Sequence, residues 1–530
     1  MIIFCLVPMV NYWSRTITPS PWFTRMLELV DKRTVIVTAL LFEWNLNDVT
    51  PEIAEQMMLG FRHGGLSLRS QALTAPAAWL ASLAQVFWTA GTCYPQITAA
   101  LHRAVGLAPA AQPEMIRRIG EVITAVRDAI DPTAFAPGGK LCGFPTAENW
   151  TPASLARWHF GLQALLSRAM QSRAARLLRE RLSATQKLLM DSASSGPLGE
   201  TGGMIWARIY PTSWKKVVHP WALRLFSRLR FNLPMKTMQK ILRAGTWLQC
   251  KCGEHLDIFG QHLLVCMRSS PSKTLVHDMF KHALHDCLRR IPGVQRLFVE
   301  KWHALSPEKR GDIICVIDDA VWIIDVTARP ETGASNTRFG AQDAGGRARS
   351  KDGVWPNWTL LHEMERIKRG EYPTLSKADT PGKLIAVAAL YVGVRFSFTG
   401  SAALDILWEK GHASLHGNSL TDFAKSAMAQ KCSEWRQNWR QECAAAIVNG
   451  VAEMVLKRLR RKIIESITPE VPMNSPLIMD MWCGCSPGRG IYYDADTGRD
   501  ANRLLHEKPF LHPKNPRPTD VGFNVPFRHG

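Results

Sequence analysis

The chain has 530 residues, and 46% of them are hydrophobic, so it can form several domains with their own cores and disorder does not dominate. Its formal net charge of +20 makes a polyanion the natural partner, and nucleic acid is the leading candidate beside ribosome-associated and membrane-surface roles. The 12 cysteines are scattered, which is typical of a reducing compartment without disulfides, and neither a secretion signal nor a transmembrane segment is evident.

Residues 1–190 are rich in alanine, leucine and tryptophan at helical spacing, as around Trp79, Leu83 and Phe87. This pattern predicts a mainly helical N-terminal region. Residues 191–204 combine serine, glycine and proline, which are typical of a flexible segment. We therefore expect a linker and a domain boundary there.

Aromatic and basic residues alternate between residues 205 and 249. The pattern fits a surface that follows a phosphate backbone and stacks on exposed bases, or equally a helix with buried tryptophans and solvated arginines. A second basic run near residue 458 continues an amphipathic helix. It could bind nucleic acid or act as a nuclear localisation signal. The candidate nucleic-acid contacts are Lys215, Lys216, Arg228, Arg230, Arg458 and Arg461.

A cluster of metal-ligand residue types follows, namely Cys250, Cys252, His262 and Cys266, with His255 as a spare. A structural zinc site needs four such ligands on a short loop, and the last two, four residues apart, would share one helix face. The first pair has a single intervening residue, which is tighter than the usual spacing. The sequence predicts a zinc knuckle, and the alternative is a set of buried free cysteines with a structural histidine.

Two short apolar runs at 312–317 and 321–327, separated by two aspartates, predict a β-hairpin with a tight turn. Asp312 and Asp325 would then lie near each other at the open end of the hairpin, as two carboxylates that share a magnesium ion must. Glu300 could add a third carboxylate from a preceding strand. The alternative is that these acids only form turns or carry surface charge. Together the patterns predict an α/β (α+β) protein.

The order of knuckle, helix, and two strands that carry aspartates resembles the C-terminal half of non-LTR retrotransposon reverse transcriptase polyproteins that carry a restriction-like endonuclease of the PD-(D/E)XK class. In that family a knuckle with a characteristic cysteine, glycine, aspartate and histidine pattern precedes the nuclease. The matching residues here are Cys252, Gly253, Asp257, Gly260, His262 and Cys266.

The resemblance implies catalytic roles for four residues. Asp312 is similar to the first metal-binding aspartate of the family, Asp325 to the second metal carboxylate, and Glu300 to the acidic residue that precedes them. Lys368 is similar to the displaced catalytic lysine, which could orient water or offset charge on the phosphate. The pair His277-Asp278 is similar to the His-Asn or His-Asp pair of the family.

The segments 64–70 and 75–83 resemble the sequence that follows the polymerase core of these proteins, in or beyond the thumb. The Tyr/Phe-x-Asp-Asp signature of the polymerase itself is absent. The resemblance implies the following organisation: a helical post-polymerase region at 1–190, a linker at 191–204, a basic segment with the knuckle at 205–270, a nuclease core at 271–400, C-terminal helices at 401–475 and a proline-rich tail at 476–530. It also implies that the nuclease core contains a small mixed sheet.

By this resemblance the chain is a retrotransposon-derived nucleic-acid-binding protein of the nucleus with a DNA endonuclease domain, which nicks target DNA to prime reverse transcription. Its implied cofactors are structural zinc and catalytic magnesium. Its implied partners are target DNA and retrotransposon RNA, with no membrane and no small-molecule substrate. The alternative is a catalytically inactive DNA- or RNA-binding remnant of a reverse transcriptase reading frame.

Overall fold

The computed structural model describes residues 7–194, 204–209, 212–243, 248–250, 252–266, 273–303, 306–331, 357–373, 375, 382–416 and 422–466. These residues all belong to one compact unit that spans Met1–Val471. The predicted proline-rich tail at 476–530 lies outside the described residues. The fold is a mixture of helices and strands, as the sequence predicts.

Residues 7–194 are mainly helical, which confirms the prediction for these residues. Several of the helices begin at polar caps: Ser20, Thr50, Ser70 and Ser183 each accept a hydrogen bond from a backbone amide in the first turn. The helices are α1 Val7–Thr16, α2 Pro21–Leu41, α3 Pro51–Met58, α4 Gln71–Cys93, α5 Pro95–Val105, α6 Glu114–Asp128, α7 Pro152–Ala156, α8 Leu162–Arg181 and α9 Ala184–Ala193.

The predicted linker at 191–204 begins too early. Residues 191–193 still belong to α9, and Asp191 forms an ion pair of 2.8 Å with Arg179 of α8, which fixes this end of the helix. Ser194 then pairs with His63 in an isolated β-bridge. The chain is described again from Met204, which opens a short 3-10 helix, and residues 195–203 lie outside the described residues.

The second half contains a mixed four-stranded sheet in the order β1-β2-β3-β4. The strands are β1 Val294–His303, β2 Ser306–Ile317, β3 Ala320–Arg329 and β4 Gly382–Leu390. The first three are antiparallel neighbours, and β4 runs parallel to β3. The predicted hairpin is confirmed, because Asp318 and Asp319 form a two-residue turn with φ of 51° and 58°, the conformation that such turns require.

The α-helices of this half are α10 Pro220–Arg230, α11 Lys236–Arg243, α12 Gln261–Val265, α13 Lys273–Leu288, α14 Asn357–Gly370, α15 Phe398–His416 and α16 Asp422–Ser466. Of these, α13, α14 and α15 pack against strands of the sheet. Val276, Phe280 and Leu284 of α13 recur every four residues and are buried, so one face of this helix packs in the core. The long α16 contacts α10, α12 and α13 and so connects the knuckle region to the sheet. No helix among the described residues is long and apolar enough to cross a membrane.

Candidate functional site

The knuckle is built by a tight backbone turn. Gln249 and His255 form an antiparallel bridge, and the amide of Leu256 donates to the carbonyl of Leu248 at 2.9 Å. Gly253 closes the turn with a φ of 95°, a conformation that residues with a Cβ rarely adopt. The short spacing of the first cysteine pair is therefore accommodated by a glycine at the turn.

Asp257 fixes the second half of the knuckle. Its carboxylate accepts hydrogen bonds from the backbone amides of Phe259, Gln261 and His262, at 2.9, 3.0 and 2.6 Å. The amides of Gln261 and His262 are the first two of α12, so the aspartate stabilises the start of the helix that carries His262. The sequence pattern includes Asp257 but gives it no role, and the structure supplies one.

The four predicted ligands come together. The Sγ atoms of Cys250 and Cys266 lie 3.3 Å apart, and the Sγ of Cys252 lies 3.3 Å from Nε2 of His262. All four ligand atoms are within 4.8 Å of one another, so this Cys/His cluster could bind a metal such as zinc. The spare candidate His255 does not belong to the cluster.

The second site lies on the sheet. Ile313 of β2 pairs with Ile324 of β3, so the next position along the ladder places Asp312 opposite Asp325. Oδ2 of Asp312 also accepts a hydrogen bond of 2.8 Å from the amide of Val326. The hairpin register thus brings the two predicted carboxylates together at its open end.

Two lysines contact the buried carboxylate of Asp325, which is only 1% exposed. Nζ of Lys368, on α14, lies 2.9 Å from Oδ1, and Nζ of Lys309, on β2, lies 3.1 Å from Oδ2. Both lysines also contact Glu371. The structure therefore brings Lys368 together with Asp325, and its catalytic role stays a prediction. Lys309 is a site residue that the sequence does not reveal, because it shares a strand with Asp312 but bonds across to Asp325.

The two carboxyl groups differ in acidity. Burial raises the pKa of Asp325 to about 6, and its hydrogen bond and charge repulsion with Asp312 add to this effect, while Lys368 opposes it. Burial also acts to raise the pKa of Asp312, but hydrogen bonds from His277 and Asp325 outweigh it and hold that pKa below its ordinary value. Asp312 therefore loses its proton more readily than Asp325, as expected when two carboxyl groups share a site.

The predicted His-Asp pair lies beside this site. Nε2 of His277 is 3.2 Å from Oδ2 of Asp312, and Nδ1 is 3.4 Å from Oδ1 of Asp278. Burial acts to lower the pKa of His277, but the hydrogen bond to Asp312, the negative charge of Asp312 and the hydrogen bond to Asp278 together outweigh it, so this pKa is raised. His277 thus helps to hold Asp312 ionised and oriented.

Glu300 lies on β1 between Val299 and Lys301, which pair with Ile313 and Gly311 of β2, so the register places it opposite Asp312. Its backbone has a φ of 51°. Its carboxylate pairs with Lys281 of α13 and with Arg310, the latter at 3.3 Å. A role for Glu300 as a third carboxylate of the site stays a prediction.

Four of the predicted nucleic-acid contacts are buried. Arg228 donates to the carbonyls of Pro234 and Glu43, at 2.7 and 2.6 Å, and Arg230 donates to the carbonyl of Gly64 at 2.7 Å. Both arginines lie on α10, which is enclosed by the surrounding helices. Their guanidinium groups donate to backbone carbonyls inside the protein. The prediction that Arg228 and Arg230 contact phosphates is therefore wrong.

The other two buried residues are Lys216 and Arg458. Nζ of Lys216 donates to Oδ1 of Asn438 at 2.6 Å, and Arg458 donates to the carbonyl of Leu263 in the knuckle helix. They connect α16 to neighbouring segments, and the prediction of phosphate contacts is corrected for them as well. The remaining candidates are Lys215, in an ion pair with Asp286 at 2.6 Å, and the exposed Arg461.

Comparison of the sequence with protein-family models finds no match, and comparison with curated proteins finds none either. The functional assignment therefore depends on the two sites themselves.

Proposed function

We propose that this chain is a retrotransposon-derived nucleic-acid-binding protein whose sheet forms a magnesium-dependent DNA endonuclease, which nicks target DNA in the nucleus to prime reverse transcription. The observation that carries this proposal is the juxtaposition of Asp312, Asp325 and Lys368 on neighbouring elements. The small mixed sheet is of the kind that the resemblance implies. Polymerase chemistry is not proposed, because the aspartate signature of the polymerase is absent from the chain.

The donor atoms fit a magnesium ion. Asp312 and Asp325 offer hard carboxylate oxygens, and magnesium is usually held by one or two protein carboxylates together with substrate phosphates. A cation would also relieve the repulsion that raises the pKa of Asp325. When bound, such an ion would activate water and stabilise charge on the scissile phosphate.

The neighbouring side chains suit this chemistry. The ammonium of Lys368 is partly exposed, so it can donate to the attacking water or to a phosphate oxygen. His277 holds the carboxylate of Asp312 in place through its hydrogen bond. Lys309 offsets the charge of Asp325 from the opposite side.

The knuckle has a separate, structural role in this proposal. Three cysteines and one histidine would supply the four protein ligands of a structural zinc site, which leaves no ligand position for substrate. The zinc would hold the loop between α11 and α13 in place. The hydrogen bond from Arg458 to Leu263 would connect this loop to α16. The knuckle would thereby help to position nucleic acid beside the sheet.

A second candidate is the inactive binding remnant. Both carboxylate oxygens of Asp325 already form ion pairs with lysines, which a divalent cation would have to displace or share. A copy in which the lysines kept these positions would bind nucleic acid without cleaving it. The same experiment separates the two candidates.

The test is nicking of supercoiled plasmid by the purified, zinc-loaded protein with magnesium. We expect Asp325→Asn to lower the nicking rate by about a thousandfold, because a metal carboxylate contributes several kcal/mol to the transition state. DNA affinity should remain. Asp319→Asn is the matched control, since it makes the same change at the exposed hairpin turn and should nick normally. A folded wild-type protein that does not nick would overturn the enzyme and favour the remnant.

A further inference from the structure

We propose that a basic cleft in the N-terminal helical region binds the backbone of a single-stranded nucleic acid. The cleft has a volume of about 650 Å³ and lies between the loop at 60–69, α4 and the start of α8. Among the residues that the structure describes, no aspartate or glutamate lines it. The arginines that line it are Arg15, Arg62, Arg69 and Arg168.

The charges of this cleft are not neutralised within the described part of the chain. Its four arginines are exposed, and none of them forms an ion pair with a described residue. Arginines further along α8 behave differently, since Arg176 pairs with Asp131 at 2.5 Å and Arg179 pairs with Asp191 at 2.8 Å. The cleft therefore concentrates positive charge, which favours a polyanion.

The loop that presents two of these arginines is rigidly held. Ser67 and Arg69 adopt left-handed φ values of 58° and 56°, and their amides donate to the carbonyls of Leu59 and Met58, at 2.8 and 3.1 Å. The buried Arg230 supports the loop from inside through its hydrogen bond to Gly64. Such a loop places its side chains in advance, which lowers the entropic cost of binding.

An exposed aromatic residue lies between two residues that line the cleft. Phe160 is 90% exposed, and its two neighbours, His159 and Gly161, both line the cleft. His159 itself stacks on Trp88 with ring centroids 4.6 Å apart. Basic residues that follow a backbone and an open ring for a base are the two parts of a single-strand site. A duplex offers no free base faces, and the cleft has the size of a small-ligand pocket, roughly 300–1,000 Å³.

This inference does not depend on the proposed endonuclease, because no residue of the sheet site takes part. The ligand chemistry is the phosphodiester backbone with an unpaired base, which single-stranded RNA and DNA share. The test is therefore made without magnesium, so that cleavage cannot contribute.

The experiment measures fluorescence anisotropy of labelled single-stranded RNA, single-stranded DNA of the same sequence and the matching duplex, over a series of salt concentrations. The cleft variant carries Arg62→Gln and Arg168→Gln. The matched control carries Arg103→Gln and Arg117→Gln, which remove the same charge from exposed positions of α5 and α6 outside the cleft. Thermal unfolding confirms that both variants are folded.

We expect the cleft variant to lose about tenfold in single-strand affinity and its salt slope to fall by about one, while the control changes less than about twofold. Phe160→Ala should lose affinity on the order of tenfold with the salt slope unchanged, because stacking releases no counterions. A preference for RNA or for DNA identifies the source of the strand. Equal losses in the two arginine variants, no loss in either, or a loss restricted to the duplex would each overturn the inference.

Discussion

The knuckle and the carboxylate site are assembled in opposite ways. The four ligands of the knuckle come from one continuous stretch, residues 250–266, and local turns bring them together. The carboxylate site takes its side chains from α13, β2, β3 and α14, so it exists only after the sheet has formed. A site of the first kind can be found from residue spacing, whereas one of the second kind requires the strand register.

The largest loss of stability is expected when a ligand of the knuckle is removed. Cys266→Ser removes one buried ligand, and we expect loss of the bound zinc and a fall in the free energy of unfolding on the order of 3–5 kcal/mol. The measurements are native mass spectrometry for zinc and denaturant unfolding. Cys432→Ser is the matched control, because Cys432 is a buried free cysteine on α16 outside the cluster, and it should cost about 1 kcal/mol. Similar losses in both variants with zinc retained would contradict the metal site.

The next effect concerns pH and belongs to the sheet. The pKa of Asp325 is raised to about 6 in the folded protein, from an ordinary value of 3.8. Between these values the folded protein keeps a proton that the unfolded chain releases, so this group makes stability fall as pH rises through the window. Asp312 stays ionised there, because its pKa is lowered.

We expect Asp325→Asn to remove this dependence. Between about pH 4.5 and pH 6.5, without magnesium, the free energy of unfolding of the wild type should fall relative to that of the variant by about 2 kcal/mol. The protonation of knuckle ligands affects both proteins equally and cancels in the difference. Parallel pH curves for the two proteins would contradict the raised pKa of Asp325 and, with it, the burial of this carboxyl group beside Asp312.

The parts that the sequence predicts well are those that depend on neighbours along the chain. The knuckle ligands, the helix with His277 and the tight turn at Asp318 and Asp319 all follow from local spacing and turn chemistry. The pairing of Asp312 with Asp325 follows as well, because a two-residue turn fixes the hairpin register.

The parts that the sequence does not predict depend on which helix faces are covered. Their charge predicts solvent exposure for Arg228, Arg230 and Arg458. In the structure these side chains are buried, and their guanidinium groups donate hydrogen bonds to backbone carbonyls. The basic cleft illustrates the reverse case. Its arginines come from α1, the loop at 60–69 and α8, and no sequence pattern unites them.

The smallest effect tests whether the knuckle really is defined by local geometry. Gly253 and Gly260 both have positive φ, 95° and 75°, so alanine at either position is strained by about 1 kcal/mol. Their surroundings differ, since a Cβ at Gly253 would meet nothing within 4 Å, whereas one at Gly260 would lie 2.5 Å from Sδ of Met235. We therefore expect Gly260→Ala to lower the free energy of unfolding by about 1–2 kcal/mol more than Gly253→Ala, by denaturant unfolding.

This last difference separates two contributions within the same loop. If Gly253→Ala alone already releases the zinc, the turn conformation governs the site and the packing of α12 on Met235 is secondary. If the two variants are equally stable, Met235 moves aside at no cost, because its side chain is flexible. A larger loss at Gly260 would mean that the knuckle, although its ligands are local, also needs the neighbouring segment against which it packs. In that case the two sites differ in how their residues are brought together, but both depend on the surrounding fold.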